Sequence, residues 1–155
     1  VERIPFETIP PVLRDRVGYL ISRLHMASHA AANHAVERYG DFSIKHQACL
    51  RVIETEGPIS QQALSARTGV DRSTMVTLVD ELEAAGFVMR TRNPADRRAY
   101  ALEITDPGRA WIDQTAEALT EAEEDIFEPL DQAERDQLRA LLLKLVTGEA
   151  VKSEV

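Results

Sequence analysis

Two short helical segments joined by a four-residue turn and followed at once by a β-hairpin constrain this 155-residue chain more than any other feature. Ser60 to Thr68 reads as a helix with Ser60 as N-cap and Gly69 as its stop, and Asp71 to Ala85 as a second, opened by Asp71 and stopped by Gly86. Only Thr68-Gly69-Val70-Asp71 lies between them, a turn of helix-turn-helix length with the glycine such turns use. In the second helix the 3.6-residue period puts Met75, Leu78, Val79 and Leu82 on one stripe, the face turned to a core. It leaves Arg72, Ser73, Val76, Thr77 and Asp80 facing outward.

Phe87 to Arg92 and Ala99 to Ile104 alternate with period two, the pattern of strands. They flank the polar, turn-forming Asn93-Pro94-Ala95-Asp96-Arg97-Arg98 and so predict a hairpin. Two helices running into a hairpin with an arginine tip make a winged helix-turn-helix. Its second helix fits a major groove about 12 Å wide, and its extended tip reaches the neighbouring minor groove.

The flanks are helical too. After Pro10-Pro11, the residues Leu13, Val17, Leu20, Leu24, Ala27 and Ala31 recur at helical spacing, and the helix is expected to end near Tyr39-Gly40 with Gly40 left-handed. Ser43 then caps a helix carrying Ala48, Cys49, Val52 and Ile53, closed by Gly57-Pro58. Beyond the hairpin, Thr105-Asp106-Pro107 opens a long helix with Ile112, Ala116, Leu119, Ala122 and Ile126 on one face, broken at Pro129. Asp131 to Glu134 has the form of a capping box, and Leu138, Leu141, Leu142 and Leu145 stripe the last helix. The expected fold class is therefore mostly α: a winged helix-turn-helix with a two-stranded wing and N- and C-terminal dimerisation helices.

A net charge of −8 looks wrong for a partner of nucleic acid, yet the charge is unevenly placed. Residues 105–155 carry 5 basic against 13 acidic side chains and hold the whole deficit, while the two earlier thirds are balanced. Along residues 88–98, Arg90, Arg92, Arg97 and Arg98 face only Asp96. DNA responds to the face it meets within a Debye length of about 8 Å, so this stripe outweighs the total.

The segment from Gly69 to Val88, read as Gly69-Val70-Asp71-Arg72-Ser73-Thr74-Met75-Val76-Thr77 and onward, resembles the recognition helix and first wing strand of the MarR family of bacterial and archaeal regulators. Asn93 to Arg98 with Leu102-Glu103-Ile104-Thr105 resembles that family's wing signature. The resemblance covers nearly the whole chain and implies one MarR-like domain over 1–155, with a DNA-binding lobe at 43–104 and dimerisation helices at 8–40 and 105–147. It sets Asp71, Arg72, Ser73, Thr74, Val76 and Thr77 toward the major groove, Ser60 and Gln61 on phosphate, Arg90 and Arg92 along the wing strands, and Arg97 or Arg98 at the tip. Thr77 and Asn93 depart from the pattern, which often has a basic residue at the first position and Asp at the second.

The resemblance further implies a homodimer presenting two recognition helices about one DNA turn, roughly 34 Å, apart. It implies a ligand-responsive repressor of a pseudopalindromic operator in double-stranded DNA, with a small-molecule effector bound between the dimerisation helices and the lobe. His25, His29 and His46 are the candidates there. His25 and His29 also stand at a metal-binding spacing, but two imidazoles fall short of the three or four ligands zinc takes, so neither metal nor cofactor is expected. The alternative reading is a winged-helix protein-interaction module that does not bind DNA. An enzyme is not expected: the chain has no phosphate loop, nucleophile elbow or metalloprotease helix motif, and acidic runs such as Glu121 to Asp125 sit on solvated faces. The single Cys49 excludes an internal disulfide and reads as a buried thiol, and Trp111 reads as core. With no apolar span of membrane length and no apolar secretory leader, the expected compartment is the cytoplasm.

Overall fold

The computed structural model describes residues 3–92 and 100–149. A 3-10 turn at Phe6–Thr8 leads into α1 (Pro11–Arg14), α2 (Val17–Glu37), α3 (Ile44–Glu56), α4 (Gln61–Thr68) and α5 (Arg72–Ala84). The hairpin follows as β1 (Val88–Arg92) and β2 (Tyr100–Ile104), and the described chain closes with α6 (Asp106–Phe127) and α7 (Gln132–Thr147). It is a winged helix-turn-helix set between terminal helices, the expected class.

The punctuation of the helix-turn-helix follows side-chain chemistry. Ser60 Oγ accepts from Ala63 N–H at 3.2 Å and Asp71 Oδ1 from Thr74 N–H at 3.0 Å, each satisfying a helix N-terminal amide that has no intrahelical partner. Gly69 closes α4 at φ 70°, a left-handed conformation that glycine adopts without a Cβ penalty. The stripe expected on α5 is the one buried: Met75, Val79 and Leu82 are 0% exposed. They pack with Leu50 and Ile53 of α3, Leu64 of α4, Val88 and Leu102 of the hairpin, and Ile112 of α6. Each such side chain contributes about 1.5–3 kcal/mol through burial, which makes this cluster the main reason the lobe holds its shape.

β1 and β2 pair antiparallel, Val88 opposite Ile104 through Arg92 opposite Tyr100. Ile59, between α3 and α4, adds a bridge that two-strand reasoning did not anticipate: its N–H donates to the Leu102 carbonyl at 3.1 Å, and Leu102 N–H returns a bond at 2.8 Å. This anchors the root of the wing to the helix-turn-helix.

A second seam ties the lobe to the long helices. Phe42, Phe87 and Trp111 meet with ring centroids 5.1 to 5.7 Å apart, and the Trp111 indole N–H donates to the Tyr39 carbonyl at 3.0 Å. The Thr105 hydroxyl donates to the Gly86 carbonyl at 2.6 Å and accepts from Gly108 N–H at 3.2 Å, capping α6 while holding it to the end of α5. Gly108 has no room for a side chain, because a Cβ there would run into the Phe87 carbonyl.

Three expectations need correction. The N-terminal helix is not continuous: it breaks at Asp15 and Arg16, because Arg14 folds back with Nε donating to the Ile9 carbonyl at 2.9 Å and its guanidinium 4.1 Å above the Phe6 ring. That contact closes residues 6–14 into a turn of their own. Gly40 does take a positive φ, 133°, but α2 ends earlier than expected, at Glu37. Ala48 lies on the exposed side of α3, where Leu50 is the buried neighbour of Cys49 and Ile53.

Candidate nucleic-acid interface

α5 divides into two faces. Opposite its buried stripe, Arg72, Ser73, Val76, Thr77 and Asp80 are all exposed, as the period predicts. At its N-terminal end Arg72 and Val76 share a shallow depression of about 240 Å³ with Gln61, Gln62 and Ser65 of α4. This end offers a cation, short polar side chains and the positive pole of a helix, the combination that attracts phosphates and base edges. Ser60 and Gln61 are half-buried at the start of α4. Thr74 is also half-buried, and its amide belongs to the cap.

Asp71 has a definite local task. Oδ1 accepts from both the Ser73 hydroxyl, at 2.6 Å, and Thr74 N–H. These bonds favour the ionised form and hold the carboxyl well below the usual carboxylate range. The cap is therefore fully formed at neutral pH, and it steers Ser73 as well as starting the helix.

Arg90 requires a correction to the expected basic stripe. Its guanidinium turns to α5, with Nη2 2.6 Å from Asp80 Oδ1 and Nε 3.0 Å from Glu83 Oε2. Two carboxylates one helical turn apart make a better partner than open solvent, so Arg90 braces the first wing strand against α5. Thr91 donates across the hairpin to Glu103 Oε1 at 2.9 Å. Arg92 is exposed at the end of β1. Arg97 and Arg98, expected at the tip, lie outside the described residues, as does Asn93.

The three histidines do not form one group. His25 and His29 lie along α2 with ring centroids 5.8 Å apart and planes tilted by 52°, and His29 Nδ1 meets the Asn33 amide at 3.0 Å. His46 is buried on α3 with both ring nitrogens engaged. Nδ1 accepts from Ser43 N–H at 3.0 Å, which places the proton on Nε2, and Nε2–H donates to Glu81 Oε2 at 2.7 Å. His46 thus completes the cap of α3 and latches it to α5. Its spacing from Ser43 is that of a capping box, a signal available in the sequence; the Glu81 contact, 35 residues away, is not. No cluster of three or more metal-binding side chains occurs among the described residues.

A cavity of about 470 Å³ does lie between α2, α3 and α6, lined by Gln47, Glu123, Ser28 and apolar side chains including Ile44 and Phe127, and by none of the three histidines. Gln47 and Glu123 were not singled out in the sequence. Cys49 is fully buried, and burial pushes its thiol up to about 11, which leaves it protonated and unreactive at neutral pH.

The MarR family profile matches residues 42–100, the stretch from the start of α3 into β2. The crystal structure of a MarR-family transcriptional regulator from Rhodococcus sp. RHA1 is 30% identical, superposes with a TM-score of 0.79, and matches over 92% of this chain and 100% of that one. This chain belongs to the MarR family. CouR from Rhodococcus jostii RHA1, in a structure bound to p-coumaroyl-CoA, is also 30% identical over 92% of this chain and 100% of its own, with a TM-score of 0.77. CouR bound to a 23-mer DNA duplex gives a TM-score of 0.81 at 25% identity, over 94% of this chain and 99% of that one. Among curated sequences, the transcriptional regulator PecS of Dickeya dadantii is 38% identical over 73 residues, 47% of this chain and 44% of PecS. The first curated relatives are matched over about half of their own length. Among the described residues of this MarR-family chain, no helix is long and apolar enough to cross a membrane.

Proposed function

We propose that this MarR-family protein is a sequence-specific, ligand-responsive transcriptional repressor that acts in the cytoplasm as a homodimer on a pseudopalindromic DNA site and has no enzymatic activity. The observation that carries the reading is the two-faced α5: one stripe locked in the core, the other offering Arg72, Ser73, Val76 and Thr77 to solvent beside the start of α4. DNA-bound CouR supports it by shared fold at 25% identity. In this reading the chain works as one domain, its lobe at 43–104 carried by helices at 8–40 and 105–147. Arg72 contacts a base edge or phosphate, Ser60, Gln61 and Ser73 position the backbone, and Arg92 with Arg97 or Arg98 follows the adjacent minor groove.

Pairing of two copies is supported by apolar residues left in the open: Val17, Leu20, Ile21 and Leu24 on α2, and Leu141, Leu143, Leu145 and Val146 on α7. Two such rows at opposite ends of the sequence suit an interlocked twofold interface. The cavity between α2, α3 and α6 is the effector site in this reading, as the p-coumaroyl-CoA complex of CouR suggests. An effector releases DNA only if it binds more tightly to the spacing of the two lobes that does not fit the duplex.

A second reading, a winged-helix module for protein partners, draws on the acidic half of α5, where Asp80 and Glu83 neutralise Arg90. The test uses the full chain. Fragments selected from the source genome define a site, and footprinting on it is expected to protect two half-sites about one helical turn apart. Arg72→Ala combined with Arg97→Ala is expected to abolish protection while sedimentation still shows a dimer. Protection that survives both substitutions contradicts the assignment of the interface.

A further inference from the structure

The cavity between α2, α3 and α6 has a chemical character of its own. Most of its wall is apolar: Ala32, Ile44, Leu119, Ala122, Ile126 and Phe127. Against that wall stands Gln47, only 8% exposed, whose side-chain amide has no hydrogen-bond partner among the described residues. No fully buried side-chain nitrogen or oxygen among the described residues lacks a partner, so this amide faces the open space of the cavity, where a ligand group can take the place of water. Ser28 supplies one further polar group from α2.

The charge of the lining has one sign. Glu123 is the single ionisable residue of the wall; no Lys, Arg or His contributes to it from any of the three helices. The dipole of α3 does not reverse this. The first amide of α3 is taken up within the protein, Ile44 N–H donating to Asn33 Oδ1 at 2.9 Å, and brings no full positive charge to the cavity. The carbonyl end of α6, at Ile126 and Phe127, lies on the cavity and carries partial negative charge. An entering carboxylate would meet a full and a partial charge of its own sign with no cation to offset them.

We propose that this cavity takes a small amine-bearing molecule with an apolar body, its polar head hydrogen-bonded by Gln47 and its ammonium drawn to Glu123. The inference rests on the reading of this cavity as the effector site and names the ligand's chemical class. An apolar ring system fills the aliphatic wall, Gln47 exchanges water for the ligand's polar head, and Glu123 selects for positive charge.

The test is calorimetric titration of the full chain at neutral pH with three probes of one shape: 2-naphthylmethylamine, 2-naphthylmethanol and 2-naphthoate. The amine is expected to bind on the order of tenfold more tightly than the alcohol, and the naphthoate most weakly. Glu123→Gln is expected to bring amine and alcohol together while leaving alcohol binding in place. Gln47→Leu, close to isosteric and compatible with an apolar wall, is expected to weaken amine and alcohol alike by about tenfold. The proposal is overturned if the naphthoate binds as tightly as the amine, if Glu123→Gln leaves the order unchanged, if Gln47→Leu has no effect, or if no probe binds. Operator binding measured without any probe reports on the regulator reading separately: a protein that grips DNA and ignores all three probes refutes the ligand class alone.

Discussion

Residues 43–104 and the last helix, α7, handle apolar side chains in opposite ways. In the lobe, Leu50, Leu64, Met75, Val79 and Leu82 are 0% exposed, and the outer face of α5 is left to polar and small residues. In α7 no residue is buried, and Leu145 and Val146 stand 70% and 84% exposed. The lobe's core is therefore completed within one chain, with Val36 of α2 and Trp111 and Ile112 of α6 closing it. α7 and the first part of α2 carry apolar stripes whose covering surface is not within the described chain, whereas α6 gives Trp111 and Ile112 to the core. The difference teaches that apolar periodicity reports a face that must be covered, and that packing within the chain decides whether a second copy does the covering.

The largest expected effect comes from breaking the proposed seam. Leu141→Glu with Leu145→Glu should convert the dimer to monomers in sedimentation and lower operator affinity by more than about a hundredfold, since the second half-site is no longer held at high effective concentration. The circular dichroism melt of the lobe should survive. A double variant that stays dimeric would place the interface elsewhere.

In the lobe, the matching cut is Leu82→Ala, which leaves a cavity beneath the outward face of α5. The expected cost is about 2–5 kcal/mol in urea unfolding. A loss below about 1 kcal/mol would mean that the lobe's core is less self-sufficient than its burial implies.

A smaller effect should follow at the latch between α3 and α5. Glu81→Ala leaves the buried His46 Nε2–H without its acceptor at 2.7 Å, and about 1 kcal/mol of stability should be lost. Glu81→Gln, which still offers an oxygen, should recover most of it. Equal losses in the two variants would show that the contact carries no positioning role.

The narrowest effect is a pH dependence confined to alkaline solution. The Cys49 thiol titrates near 9.0 when solvated and is raised to about 11 by burial in the fold. The unfolded chain therefore gives up this proton first, so the thiol's contribution is intact below about pH 9 and disappears as pH rises toward 11. Thermal melts of wild type and Cys49→Ala should diverge in that window. At neutral pH the folded thiol should resist alkylation.

How much of this was legible in the sequence varies by residue. The turn at Gly69, the caps Ser60 and Asp71, and the buried stripe of α5 were readable because each depends on neighbours within four residues. The break at Asp15 is silent in the sequence because apolar spacing runs through it, while the deciding contact joins Arg14 to Phe6 and Ile9. Arg90 looked like one cation of a stripe; its pairing with Asp80 and Glu83 depends on how β1 crosses α5. Gln47 and Glu123 carry no local signal, since they meet at one cavity only after α3 and α6 have packed. His46 shows both sides: its cap was written three residues away at Ser43, and its latch 35 residues away at Glu81.

The most direct measurement is the salt dependence of the full chain's affinity for a selected DNA duplex. If the outward face of α5 and the wing meet six or more phosphates across a dimer, affinity should fall log-linearly, by about a thousandfold or more between roughly 50 and 200 mM salt. Arg72→Ala should reduce the slope or the affinity without changing the dimer. An affinity that is flat in salt would contradict the account and favour a protein partner for the same face.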